Sequence, residues 1–318
     1  MGVFGYVLWC VVRAANDIGG SGEIPARVAL LWVRRHHCCS CTGIKFGLPC
    51  RCQKIETAMP DPAAAARMLF AARRPGTALN NLPPEALPRD LAEAYAAQDA
   101  LVALLAVQSG PVAGYKVGCT NASAREMLQL DSPFSGRCFA QEITTAPAMV
   151  ERSELHMVGI EPEIAVRIQR DMAPGTAWTD NDAVLCIGEI MPAIEIVESR
   201  FATWPLMGIL SAVADNGVHR HLILGKGVPD WSREKIERSQ VTLSVNGKCV
   251  SEGCAANVDG GPFAVVAWLA NHLNARGLTL RAGEIVTTGV MTDIFDGGPG
   301  ESISADFDLP GQVTVTVS

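Results

Sequence analysis

Nowhere in this chain do lysine and arginine gather into a block dense enough to track a phosphate backbone, and the formal net charge is −7. Nucleic acid is therefore not an expected partner. No apolar run approaches the roughly 20 residues that span a bilayer. Hydrophobic residues nevertheless make up 48% of the chain, enough for a sizeable core in one large domain or two modest ones. An internal repeat and a βαβ rhythm are also missing. The start "MGVFGYVLWCVV" lacks the basic region of a secretory signal. Of the eleven cysteines, Cys10, Cys38, Cys39, Cys41, Cys50 and Cys52 lie near the N-terminus, but "RRHHCCSCTG" and "GLPCRCQK" contain no CxxC…CxxC pairing of the kind that holds zinc. The other cysteines are scattered singles or, for Cys249 and Cys254, lie near a predicted hairpin. That usage fits a reducing, cytoplasmic location better than a disulfide framework.

The chain divides at Met59. Residues 1–58 differ in composition from the remainder and are expected to form a poorly structured extension, translated from upstream of the natural start. "MPDPAAAARMLFAARRPG" reads as a domain start, with Asp61 as cap, Pro62 at the first helical position and Gly76 as the stop. Residues 59–318 are expected to form a single catalytic domain. Leu91, Tyr95, Gln98, Val102 and Leu105 recur at spacings of three and four, which predicts a helix over 88–107. "AGYKVG" is a short strand, Asn121 caps a short helix in "SAREMLQL", and "DSPFSGRCF" has turn chemistry. "TDNDAVLCIGEI" reads as a helix, "PAIEIVESR" as a strand and "WPLMGILSAVADNG" as a loop with a helical turn. The last third is mostly strands. "QVTLSVNGKCV" is a hairpin about Asn246-Gly247, and "EIVTTG", "SISADF" and "QVTVTV" are further strands. One helix, Pro262 to Arg276, interrupts them and stops at Gly277. The fold class is α+β: a helical part to residue 150, then a curled mixed sheet over 151–318.

Chemistry is carried by acids set in apolar strands. In "VGIEPEIAVRI", strand alternation gives Ile160, Ile164, Val166 and Ile168 one face and Glu161, Glu163 and Ala165 the other. Two ionised carboxylates about 6–7 Å apart along a strand repel, and burial worsens the repulsion. A third acid, Glu195, sits between Ile194 and Ile196 in "PAIEIVES". Three such acids on neighbouring strands would suit a hard divalent cation with oxygen ligands. The alternative is pairing to arginines such as Arg167 or Arg200. Lys116 in "GYKVGC" is the opposite oddity, one lysine in a short strand. Near a metal and in a partly apolar pocket its pKa can be lowered. His156, His219 and His221 match no ligand spacing and read as surface or core residues.

"GYKVGCT", "EPEIAV", "MPAIEIVESR", "ADN" and "RAGEIVTTG" occur in the order seen in 2-oxopent-4-enoate hydratases and 4-oxalocrotonate decarboxylases. From about Pro60 to Ser318 the chain resembles this family of the fumarylacetoacetate hydrolase-like superfamily. The resemblance implies a β-roll, a Mg²⁺ or Mn²⁺ ion on Glu161, Glu163 and Glu195, and Lys116 as the catalytic residue. It puts Phe134, Asn216 and Thr288 at the substrate. There are two departures: Phe134 stands where family hydratases often carry an acid, and Gly217 replaces a serine that often follows "ADN".

The activity implied is hydration of a 2-hydroxy-2,4-dienoate to a 4-hydroxy-2-oxo acid, in the catabolism of aromatic ring-cleavage products. The alternatives are decarboxylation of a 4-oxalocrotonate-type acid or C–C hydrolysis of an acylpyruvate. The resemblance also implies a homo-oligomer, or association with a paralogous decarboxylase. A non-catalytic subunit is the reading from another class. Retention of all three glutamates and Lys116 argues against it.

Overall fold

Asp61 accepts a hydrogen bond from the Ala63 amide at 2.9 Å and starts helix α1 (Pro62–Ala71), where the proline lacks only an N–H that would have had no helical partner. The computed structural model describes residues 60–318. The expectations about the N-terminal cysteines, the extension and a start at Met59 lie outside the described residues. Asp90 caps α2 (Leu91–Ser109) by accepting from the Glu93 amide. These two helices bury Leu69, Leu101 and Leu105 with Phe139 and Phe201.

The remaining elements alternate irregularly. Strand β1 (Val112–Gly118) leads through α3 (Ala122–Leu128) to β2 (Phe134–Phe139), β3 (Ile143–Thr145) and β4 (Ala148–Val150). Then come β5 (Gly159–Ile168), α4 (Asp180–Cys186), β6 (Ile187–Val197), α5 (Ile209–Ala214) and β7 (His219–Leu224). The last third holds α6 (Arg233–Glu237), β8 (Gln240–Val245), β9 (Lys248–Cys254), α7 (Gly261–Ala275), β10 (Ile285–Val290), β11 (Phe295–Asp296), β12 (Ser302–Phe307) and β13 (Gln312–Val317). The curled larger sheet runs β2-β1-β10-β5-β6-β7-β3, with β11 added beside β5, and the smaller runs β4-β13-β12-β8-β9. Both are mixed: β1–β10, β3–β7 and β4–β13 are parallel pairs. The main core lies between the sheets and α7, where Ile160, Ile164 and Val166 meet Leu243, Phe263 and Ile303. Ala165 belongs to a different cluster, with Met191, Ala193 and Leu222. The alternation read in the sequence therefore divides β5 between two environments, both buried.

Three local expectations change. "FSGRCF" is not a turn but the fully buried strand β2, antiparallel to β1. Its serine and glycine mimic turn composition, whereas long-range pairing decides the conformation. "TDNDAVLCIGEI" is helical only to Cys186. Thr179 and Asp182 form a capping box, and Ile187 already begins the eleven-residue β6. The segment before residue 151 is also less purely helical than expected, since it supplies β1, β2 and β3 to the larger sheet and β4 to the smaller. None of the helices among the described residues is long and apolar enough to cross a membrane. The cysteines of the described residues are free thiols.

Candidate active site

β5 and β6 pair antiparallel along nearly their whole length, and the register sets Glu161 opposite Glu195. Like charges directly opposite on one sheet face repel, and here water cannot screen them. Glu161 is 8% exposed, and Glu163 and Glu195 are 0% exposed. One oxygen from each of the three lies within 4.8 Å of the others. Lys116 reaches the same face from β1, with its Nζ 3.2 Å from Glu195 Oε2. Three carboxylates against one ammonium leave two formal negative charges. A divalent cation would neutralise that remainder.

The ionisation of each group follows from its neighbours. Burial raises Glu161 to about 7, against a downward pull from Lys116 and with a further rise from Glu195. Burial also pushes Glu163 well above the usual carboxylate range, and Glu195 and Glu161 add to the effect. Burial would raise Glu195 too, but Lys116 and His219 outweigh it and hold this acid below its ordinary value. For Lys116, burial would lower the amine, yet Glu195, Glu161 and Glu163 together raise it above the usual lysine value. In the metal-free site the surrounding carboxylates win over desolvation; the lowering read from the sequence presupposes a bound ion beside the amine.

Both anchoring oxygens of the cluster have protein partners. His219 Nδ1 lies 2.8 Å from Glu195 Oε1. Because an ionised carboxylate only accepts, Nδ1 carries the proton. The Gly289 amide donates to Glu163 Oε2 at 2.7 Å. Glu163 Oε1, by contrast, is buried and accepts no hydrogen bond. An orphaned carboxylate oxygen beside two other acids is what a cation site offers. The oxygen-only donor set fits a hard ion such as Mg²⁺ or Mn²⁺ and leaves coordination positions for water or substrate. The arginine alternative fails on geometry. Arg167 pairs with Glu189 at 3.0 Å. Arg200 lies against Glu198 at 3.4 Å and Asp215 at 3.6 Å.

A cavity of about 330 Å³ opens onto Lys116 and Glu161. Phe134, expected at the substrate, lines it. The other two expected substrate residues do not. Asn216 is fully buried, its Oδ1 accepting from Arg137 N and its Nδ2 donating to Arg137 O, both at 2.8 Å. Thr288 Oγ1 donates to Ile164 O at 2.8 Å. Their side chains fix backbone rather than face the cavity.

Two features escape sequence reasoning. His219 reads as an ordinary histidine in the sequence, although it is the nearest support of Glu195. Only the pairing of β7 with β6 brings the two together. The wall formed by Trp204, Met207 and Ile209 reads there as a loop with a helical turn. The apolar run "WPLMGIL" is the signal that could mark it.

The chain matches the model of the fumarylacetoacetate (FAA) hydrolase C-terminal family over residues 140–318. It is 28% identical to a 2-hydroxyhexa-2,4-dienoate hydratase of Comamonas testosteroni over 65% of this chain and 77% of that protein. It is 29% identical to the TodF product hydratase of Pseudomonas putida over 79% of this chain and 92% of that one. Among solved structures, 4-oxalocrotonate decarboxylase from Pseudomonas putida G7, complexed with magnesium and adipate, superposes with a TM-score of 0.74 at 25% identity, covering 81% of this chain and 97% of that one. With the family model matched over more than half of its residues, and the same curled mixed sheet, the chain belongs to the fumarylacetoacetate hydrolase family.

Proposed function

We propose that this protein is a divalent-metal-dependent hydro-lyase that adds water to a 2-hydroxy-2,4-dienoate and releases a 4-hydroxy-2-oxo acid. The observation that carries the reading is the cluster of Glu161, Glu163 and Glu195 beside Lys116 at the head of an otherwise largely apolar cavity. The hydratase names of its relatives agree with it.

Glu161, Glu163 and Glu195 would hold Mg²⁺ or Mn²⁺, which when bound supplies Lewis-acid stabilisation of negative charge on the substrate's 2-oxygen. Lys116, as its ammonium, offsets the substrate carboxylate and donates a proton to the far carbon of the dienol. The enol O–H proton passes to the Lys116 amine in the same ketonisation, leaving a 2-oxo-3-enoate. Water then adds its oxygen at C4, and the proton it loses is delivered to C3. Asp293, on the cavity lining, is the carboxylate outside the cluster that can take the proton of the attacking water, in place of the acid whose position Phe134 occupies. The apolar wall keeps bulk water from the conjugated intermediate.

The test is to incubate the Mg²⁺-loaded chain separately with 2-hydroxypenta-2,4-dienoate, 4-oxalocrotonate and an acylpyruvate. The expected result is a 4-hydroxy-2-oxo acid from the first, abolished by EDTA. CO₂ from the second as the dominant turnover, or two acids from the third, would replace the hydratase reading with a decarboxylase or a hydrolase. The assembly, as a homo-oligomer or with a paralogous decarboxylase, belongs to the same proposal and is read from the mass of the purified particle.

A further inference from the structure

The cavity has two chemistries. Its head carries Lys116 and Glu161. Its wall is one apolar cluster, in which Val197, Ala212 and Val218 pack with Trp204, Met207, Ile209 and Ile294. Every member of that cluster lines the cavity. Phe134 and Leu128 extend the apolar lining. A volume of about 330 Å³ is at the lower end of the roughly 300–1,000 Å³ usual for small-molecule pockets.

Charge is distributed just as unevenly. Among the described residues on the lining, Lys116 is the one cation, and Glu161 and Asp293 are anions. Lys116 lies at the head against Glu195, and in the hydratase reading its ammonium serves the substrate's own carboxylate. Arg125 stands close in sequence but turns away, donating to Cys119 O and pairing with Asp259 at 2.7 Å. The indole N–H of Trp204, on the lining, is buried and unpaired; it is a single neutral donor and does not offset a full carboxylate charge. A second carboxylate at the far end of a substrate would therefore lose its hydration against apolar side chains, with no second cation on the described lining to pair with it. An uncompensated buried charge is strongly unfavourable.

Resting on the hydratase reading, we infer that the substrate is a monocarboxylic 2-hydroxydienoate with an uncharged apolar substituent at the end remote from its carboxylate. Dienoates or 2-oxo acids that end in a second carboxylate are rejected. The apolar cluster around Trp204, Met207 and Ile209 is the tail site. Burial of each added methylene there strengthens binding, as apolar area leaves water.

Binding and turnover test this separately. The Mn²⁺-loaded full-length chain is titrated calorimetrically with 2-oxobutanoate, 2-oxooctanoate and the diacid 2-oxooctanedioate. The eight-carbon monoacid should bind at least about tenfold more tightly than the four-carbon one, a ratio equal to about 1.4 kcal/mol. The diacid should bind at least about tenfold more weakly than the monoacid of equal length. In parallel, kcat/KM is measured for 2-hydroxydienoates ending in hydrogen, propyl or carboxylate, and the same order is expected. Met207→Lys should narrow or reverse the gap between monoacid and diacid. Equal binding of the two, or preference for the diacid, overturns the tail site even if hydration occurs. Graded binding without turnover of any dienoate overturns the hydratase reading and keeps the tail site. Failure of every 2-oxo acid to bind overturns both.

Discussion

A Cβ placed on Gly217 would stand 3.1 Å from Cε2 of Phe134 and 3.2 Å from Cδ of Lys116. The two departures from the family pattern are therefore one. The aromatic ring that replaces an acid also fills the space a serine side chain at 217 would need. Gly118 completes the arrangement, since a Cβ there would lie 2.5 Å from Cζ of the same ring. Gly217 also has φ +63°, a conformation that costs other residues roughly 1–2 kcal/mol.

Gly217→Ser should accordingly destabilise the protein by roughly 2–3 kcal/mol, combining the backbone term with the crowding. In a Phe134→Ala background the crowding from the ring is relieved, leaving the backbone term and the contact with Lys116 Cδ. Urea denaturation of the parent, both single variants and the double variant should give a coupling of at least about 0.5 kcal/mol. Strict additivity would show that the ring and the glycine are independent.

Glu163→Gln keeps the shape of the side chain, and its amide oxygen still accepts from Gly289 N. It removes the charge. Divalent-ion affinity should fall by more than the roughly 10–100-fold typical of lost supporting contacts around a metal, with the circular dichroism spectrum retained. Mn²⁺ titration followed by electron paramagnetic resonance measures this. Unchanged affinity would remove Glu163 from the ligand set.

Glu161 gives a pH dependence with a definite sign. Its folded value, about 7, lies above the ordinary 4.5, so the fold favours the protonated acid. In metal-free protein this contribution is fully present below about 4.5 and is lost as pH rises through about 7. The shift corresponds to roughly 3 kcal/mol. Glu161→Gln removes it. In EDTA, the variant should be about as stable as the parent at pH 4 and more stable at pH 8, by urea midpoint. Equal stability at both pH values would contradict the raised value. Metal binding must expel the same proton, so Mn²⁺ affinity should rise with pH through about 7 and keep rising as the raised Glu163 loses its own proton.

Lys116→Met should retain the bound ion and the fold but lower turnover by at least the roughly 10²-fold of a lost acid–base group. Lys116→Arg separates the roles. Arginine keeps the charge but does not release its proton near neutral pH. No rescue points to proton transfer, and substantial rescue to electrostatic positioning. A fully active Met variant would leave Lys116 outside the chemistry.

Much of the site is legible in the sequence because strand alternation is local. The isoleucines of β5 mark one face, so Glu161 and Glu163 must share the other. Register is not local. Nothing in the chain announces that Glu195 stands opposite Glu161, or that a β-bulge near Ile196 accompanies His219 beside Glu195. The composition of β2 misleads for the same reason: Ser135 and Gly136 look like turn residues until β2 pairs with β1 and α2 supplies the partners of the Ser135 backbone, with Tyr95 Oη accepting from its N–H and Gln98 Nε2 donating to its carbonyl. Asn216 and Thr288 illustrate a different limit. Sequence identifies a polar residue in a motif but not whether its hydrogen bonds go to a ligand or to backbone, and here they go to Arg137 and Ile164.

The contact between Lys116 and Glu195 Oε2 has a consequence for cation binding. That oxygen is the atom the ammonium approaches, while Oε1 is committed to His219. An ion held by Glu195 through Oε2 would compete there with Lys116, which offsets only one of the three carboxylates. The lysine and the ion would then be rivals for one acid, so weakening the lysine contact should ease cation binding, and a tightly held cation should leave the ammonium available to an anion in the cavity.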